Sequence, residues 1–322
     1  MRAPDFWNDE NRPVPGHLAH LSKLYRFFSR RRIESRPRHI ARAPVICVGN
    51  VVMGGSGKTP VVQSITKILL AHQKDPVILL RGYSGREKGP IWVTGQDARD
   101  VGDEALLHVA YAGTCVSRDR VKGAKFIEKR SRCTHIVMDD GLQNPSLKKN
   151  LSLLVVDGGN PFGNGHLFPA GPLREPIESA IKRCDAVIVI GEDKTHIAEQ
   201  YRFLLPVFQA ALIPDVPKLY QGVALIAFAG IGNPDKFFAT LEQHGAILFD
   251  KIPFPDHHHY DEKDLQGLLH KSQKANIPLV TTRKDWVRLP SKFQAHVKVL
   301  DVDLHWEDEA AFIRFLAEKH IL

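Results

Sequence analysis

Residues 45–59 (VICVGNVVMGGSGKT) bring together the residue types that bind phosphate. Glycine tolerates the tight turns that let backbone N–H groups close around phosphate oxygens, so Gly54, Gly55, Ser56 and Gly57 form the expected cradle. Lys58 would meet the terminal phosphates of a nucleotide, and the Thr59 hydroxyl would ligate Mg²⁺. Val52 stands where the strict G-x-x-x-x-G-K-[ST] pattern has its first glycine, and Gly49 is the nearest glycine upstream. A second group, His135-Ile136-Val137-Met138-Asp139-Asp140, is an apolar run ending in two acids. Carboxylates at a strand end beside such a loop can hold the metal and its water shell, so ATP and Mg²⁺ are the expected ligands.

Both groups need particular elements behind them. The loop requires a buried strand on one side and a helix on the other, so that the helix's positive end faces the anion. The chain supplies a series of apolar runs at Val45–Val48, Val77–Leu80, His135–Met138, Leu151–Val156 and Ala186–Ile190. Helical stretches at Gln63–His72, Glu104–Tyr111 and Arg120–Arg130 alternate with them. The runs are continuous and do not alternate in polarity, which predicts strands buried on both faces of a parallel sheet. Pro206, Pro214 and Pro217 suggest a connection. A second α/β series follows, with strands at Val223–Ala229, Ile247–Ile252, Leu279–Thr281 and Val297–Val302. Its helices start near Pro234, Asp261 and Asp308. The expected fold class is α/β: a P-loop NTPase-like parallel sheet flanked by helices, a second smaller α/β domain, and an N-terminal amphipathic helix. The expected divisions are 1–43, 44–218 and 219–322.

Composition narrows the partners. The formal net charge is +8, and residues 23–42 carry eight bases against the single acid Glu34. This one window therefore holds nearly all of the imbalance, which suits a local anionic surface better than nucleic acid. It overlaps residues 17–32, whose pattern predicts an amphipathic helix with Leu18, Leu21, Leu24, Tyr25 and Phe28 on one stripe. The opening residues carry no apolar signal core, and no run is long enough to span a bilayer, so a cytoplasmic protein is expected. The four cysteines are scattered without a C-x-x-C pair, which predicts free thiols and neither a disulfide framework nor a zinc site. Gly230-Ile231-Gly232-Asn233-Pro234 lacks a third glycine for dinucleotide binding and is expected to be a turn, with Pro234 at the first helical position.

Read together, these motifs resemble the tetraacyldisaccharide 4′-kinase family. The resemblance runs through Phe6-Trp7, VGNVVMGGSGKTP (48–60), RGYSG (81–85), GDEALL (102–107) and DDGLQ (139–143). It continues through PAGPLREP (169–176), AGIGNP (229–234), FPDHH (254–258) and TTRKD (281–285). It implies transfer of the γ-phosphoryl group of ATP to the 4′-hydroxyl of an acylated disaccharide 1-phosphate. The resemblance further implies that Asp103 lies at the acceptor hydroxyl with His257 as its partner, aligned on the aspartate although His258 and His259 follow. Arg120 and Arg174 would face the transferring group, and Glu175 and Gln143 would join Thr59, Asp139 and Asp140 around the metal. Arg81 and Tyr83 would face the acceptor sugar. No role follows for Thr281–Asp285. An acylated acceptor places such an enzyme on the cytoplasmic face of a Gram-negative inner membrane, held through residues 17–42, with no nucleic acid and no obligatory protein partner. The competing reading is a P-loop switch acting on a protein, against which stands the lack of a guanine-reading motif.

Overall fold

The computed structural model describes residues 4–9, 12–216 and 220–322. Pro217 and the expected boundary at 218–219 lie outside the described residues. The strands of the first half are β1 (Val45–Gly49), β2 (Pro76–Leu80), β3 (Ile91–Trp92), β4 (Gly113–Val116), β5 (His135–Asp139), β6 (Leu151–Asp157) and β7 (Ala186–Ile190). The remainder are β8 (Val207–Asp215), β9 (Ala224–Ala229), β10 (Ile247–Pro253), β11 (Leu279–Thr282) and β12 (Val297–Trp306). They form one sheet in the order β10-β9-β11-β12-β8-β7-β6-β1-β5-β2-β4-β3. β1, β2, β5 and β7 are buried along their whole length, which is why their sequences run apolar without alternation.

Two parallel blocks meet at one antiparallel seam, where β12 pairs with β8. The register at this seam decides where the site can be. The first part of β12 pairs with β11 (Leu300 opposite Thr282), and the second part pairs with β8 (Asp301 opposite Asp215). The carboxyl end of β11 therefore abuts the carboxyl end of β8. The two blocks turn their carboxyl ends toward each other, the edge on which open α/β sheets bind ligands.

Two expectations are corrected here. The proline-bearing stretch read as a connection is strand β8, with Pro214 opposite Val302 near the strand end. Proline is tolerated there because it disturbs few ladder bonds. The second α/β series also does not stay separate to the chain end. Phe312, Phe315 and Leu316 of the helix Glu309–Glu318 pack with Ile46, Val48, Ile65 and Ile188 in the core of the first block. Burying each of those three side chains stabilises this return by roughly 1.5–3 kcal/mol. All four cysteines are free thiols, as the scatter of their positions predicts.

Helix α1 (Gly16–Ile33) forms as expected, but its predicted apolar stripe is divided between two environments. Ser22 and Tyr25 turn inward onto residues 167–174, Ile33 is buried and Leu18 half-buried. Ser22 Oγ lies 2.8 Å from Leu167 O and accepts from Ala170 N at 3.1 Å; Tyr25 Oη donates to Arg174 O at 3.1 Å. Leu21, Leu24 and Phe28, joined by Phe27, are left 50–62% exposed. A pattern of apolar residues identifies two faces of a helix without saying which one the protein covers.

Candidate active site

The phosphate loop leaves β1 and enters helix α2 (Lys58–Ala71), capped by Gly57 at φ +82°. Val52 is not in the left-handed region, and its backbone bridges to Leu173 while Met53 N donates to Pro172 O at 2.8 Å. This anchoring to residues 172–173 fixes the loop without a glycine at position 52. Gly49 has a different duty, because a β-carbon there would lie 2.7 Å from Leu142 Cγ. Gly54 and Gly55 are exposed, while Ser56 is buried.

The carboxylates follow at the end of the adjacent strand. Lys58 Nζ is 3.8 Å from Asp140 Oδ1, and Arg174 Nη1 donates to both Asp140 oxygens at 2.8 and 2.9 Å. Burial raises the Asp140 pKa, but Lys58 and Arg174 outweigh it and hold the carboxyl below its ordinary value. Asp139 is buried, and its Oδ2 meets His108 Nε2 at 2.9 Å. Among the described residues no hydrogen-bond partner meets Asp139 Oδ1, Ser56 Oγ or Asn50 Oδ1. Three orphaned buried oxygens along the loop and its neighbouring strand are the signature of a site built to receive polar groups from a ligand.

Three expected site residues stand behind this front. Arg120 is buried and donates to Ser117 O at 2.7 Å and Asp139 O at 3.3 Å, so its guanidinium backs the Asp139 main chain. Glu175, expected at the metal, has both oxygens engaged, one by Gln143 Nε2 at 3.0 Å and the other by Arg183. It is buried and serves to hold Gln143, which also donates to Asn50 O at 2.8 Å. Glu175 is thus one shell removed from the position expected of a ligand.

The acceptor-side residues converge from both blocks. Asp103 opens helix α4 (Asp103–Val109), just after the short helix α3 (Ala98–Val101), and is 3% exposed. His257 Nδ1 is 3.2 Å from Asp103 Oδ2, although 154 positions separate the two in sequence order. The next histidine does not compete for this place: His258 meets Asp264 at 2.7 Å and stacks on Phe254. His257 adopts φ +56°, a strained conformation for a side-chain-bearing residue, and its N–H donates to Gly230 O at 3.0 Å. Burial pushes the Asp103 pKa up, yet the hydrogen bond with His257 and the charge of Arg288 hold it well below the carboxylate range. The hydrogen bond with Asp103 raises the His257 pKa. Exposed Tyr83 places its ring 6.3 Å from that of His257.

Helix α4 joins the two groups physically. Asp103 at its start faces His257, and His108 five residues later holds Asp139, a separation of about 7.5 Å along a helix axis. His108, Arg183, Asp285 and Arg288 carry no motif that sequence reasoning singled out for chemistry; only the tight TTRKD spacing pointed near Asp285.

A buried strand, a glycine loop, a lysine–threonine helix start and paired carboxylates on the adjacent strand define a P-loop protein of the phosphoryl-transfer class. The comparisons with known proteins are specific within that class. The sequence profile of the family described as tetraacyldisaccharide-1-P 4′-kinase matches residues 16–320. The tetraacyldisaccharide 4′-kinase of Paramagnetospirillum magneticum is 45% identical, with 95% of each chain covered. That of Rhodospirillum centenum is 43% identical, covering 98% of this chain and 96% of its own. A solved structure described as the "apo" form of LpxK from Aquifex aeolicus in complex with ATP has a TM-score of 0.74 at 25% identity, covering 94% of this chain and 96% of that one. The chain belongs to the tetraacyldisaccharide-1-P 4′-kinase family.

Proposed function

We propose that this protein transfers the γ-phosphoryl group of ATP to the 4′-hydroxyl of a tetraacyldisaccharide 1-phosphate. The observation that carries this reading is that helix α4 links the two groups, with Asp103 meeting His257 at its start and His108 holding Asp139 five residues on. The division of labour follows from exposure. Asp103 is buried while the His257 side chain is 40% exposed, so His257 is the member that reaches an acceptor. This reverses the order expected from the resemblance, in which Asp103 stood nearest the hydroxyl. Asp103 Oδ2, a carboxylate oxygen that can only accept, takes a hydrogen bond from Arg288 Nη2 and lies 3.2 Å from His257 Nδ1. Both contacts at Asp103 Oδ2 are therefore met when His257 carries its proton on Nδ1, which leaves Nε2 as the lone pair for the acceptor proton. Asp103 orients the ring and stabilises the imidazolium that forms.

Lys58 and Arg174 supply the cations for charge on the transferring group, and the loop backbone from Gly54 to Gly57 supplies its N–H donors. The residues present fit Mg²⁺. Thr59, Asp139 and Asp140 are all oxygen donors, Asp139 Oδ1 is buried without a protein partner, and Mg²⁺ completes its shell with phosphate oxygens and water. Bound there, Mg²⁺ would neutralise charge on the phosphates. ADP release measured with and without the acylated disaccharide 1-phosphate tests the activity: strong dependence on the acceptor is expected, and acceptor-independent release would favour a regulatory NTPase.

The pH dependence has a definite sign. A base at His257 must be neutral to act, and Asp103 raises its pKa. The acid limb of kcat/KM should therefore lie above the ordinary histidine range. In Asp103→Asn the raising carboxylate is gone, so the limb of the residual activity should move to lower pH. An unmoved limb would remove His257 from the proton-transfer role.

Membrane attachment rests on α1. Leu21, Leu24, Phe27 and Phe28 offer an apolar face, beside which the bases of residues 23–42 each contribute about 1 kcal/mol near an anionic surface. No helix among the described residues is long and apolar enough to cross a membrane, so attachment of this kind is peripheral. Leu24→Glu with Phe28→Glu should release the protein from anionic vesicles in a sedimentation assay and leave its melting temperature unchanged, because both side chains are exposed. Undiminished sedimentation would end this assignment.

A further inference from the structure

Three motifs of the second block converge on one buried arginine. Arg288 is only 3% exposed in its side chain, and it follows the short helix Arg283–Trp286. Its Nη1 donates to Gly230 O at 2.9 Å and lies 3.2 Å from Asp285 Oδ1. Asp285 is fully buried and saturated: Oδ1 also accepts from Gly230 N and Tyr260 Oη, each at 2.9 Å, while Oδ2 accepts from Thr282 Oγ1 at 2.7 Å. The AGIGNP turn, the FPDHHHY loop and the TTRKD segment are thus tied to one carboxylate. A side chain at Gly230 would crowd this knot, since a β-carbon would sit 3.1 Å from Asp285 Oδ1, His258 Cβ and Pro255 O.

The far edge of the guanidinium faces the other block. Arg288 Nη2 donates to Asp103 Oδ2, the same oxygen that His257 Nδ1 approaches. Gly230 O accepts from both Arg288 Nη1 and His257 N, so one turn sets where the arginine and the histidine stand relative to each other. A planar, permanently charged fork can bridge two anchors in this way, which a lysine ammonium cannot.

We propose that Arg288 is a positioning residue for the acceptor step: held by Asp285 and Gly230, it fixes the Asp103 carboxylate against His257 across the junction of the two blocks. This rests on the reading that Asp103 and His257 act on the acceptor hydroxyl. Structural support alone would be lost evenly across all functions, whereas misplacement of Asp103 slows transfer and leaves the nucleotide site intact.

The experiment uses the full chain with ATP, Mg²⁺ and the acylated disaccharide 1-phosphate. Arg288→Lys and Arg288→Ala should each lower kcat by about 10²-fold, with the KM for ATP within roughly twofold of the parent. Millimolar guanidinium should restore roughly a tenth or more of the lost rate to Arg288→Ala and none to Arg288→Lys, since only the former leaves the space that guanidinium fills. In an Asp103→Ala background, adding Arg288→Ala should cost less than about threefold more, as expected of residues acting as one unit. Near-parental kcat in Arg288→Lys, parallel loss of ATP binding, or full additivity with Asp103→Ala would each overturn the proposal. If Arg288→Ala fails to fold, Arg288→Lys alone decides, by its kcat and its ATP binding. If Asp103→Ala itself transfers normally, the underlying assignment of the acceptor site has failed, a result separate from any of these.

Discussion

Alanine at Lys58 is expected to reduce phosphoryl transfer by about 10²-fold or more, and alanine at Asp139 by a similar factor. The two lie on adjoining elements, Lys58 at the start of α2 and Asp139 at the end of β5. Lys58 begins α2 with its ammonium 3.8 Å from Asp140, close enough to share that carboxylate at rest and to turn to phosphate charge when a nucleotide is bound. Asp139 is buried, held at one oxygen by His108, and its other oxygen meets no partner among the described residues. In such a water-poor place electrostatic stabilisation is strong, so losing either charge should show mainly in kcat. The measurement is steady-state kinetics with acceptor saturating, accompanied by a melting curve. Asp139→Asn keeps the shape of the side chain and its contact with His108, and should fail nearly as badly as alanine. If Asp139→Asn or Lys58→Ala keeps near-parental turnover in a folded protein, the phosphate site has been put in the wrong place.

The second large effect concerns the acceptor. Asp103→Ala should lower kcat by about 10²-fold or more while changing the KM for ATP little, because a group that orients the proton-accepting ring acts in the transition state and not in nucleotide binding. Removing this carboxylate deprives His257 of the bond that fixes its ring and leaves Arg288 as a buried charge without its second acid, so a lower melting temperature is also expected. His257→Ala should lose at least as much activity, because the carboxylate acts through that ring. The double variant should fall short of the product of the single losses if the two act as a unit. Equal damage to kcat and to ATP affinity in Asp103→Ala would argue that the residue supports the nucleotide site instead.

Much of this protein was written in short-range patterns. The strand, glycine loop and Gly-Lys-Thr helix start lie within fifteen consecutive residues, and apolar runs such as Val45–Gly49 and His135–Asp139 announce strands buried on both faces. Helix starts were equally local: Asp119 caps helix α5 (Arg120–Arg130) by accepting from Val121 N and Lys122 N, and Asn233 caps the helix that opens at Pro234. Asp103 and His257, by contrast, became site candidates through the family resemblance, since each alone reads as a cap or a polar loop residue. Tertiary structure decided what depends on distant partners. The antiparallel seam of β8 and β12 turns the second block's carboxyl ends toward the first, and no local pattern encodes the direction in which two blocks face. Arg288 meets Asp103 across 185 positions and His108 meets Asp139 across 31, so nothing in either neighbourhood marks them. The same limit governs α1: periodicity places Leu18 and Tyr25 near Leu21, Leu24 and Phe28, but only the segment 167–174 lying against the helix determines which of them are covered. Local chemistry is fixed by side chains a few bonds apart, whereas pairing and exposure are fixed by which surfaces the folded chain brings together.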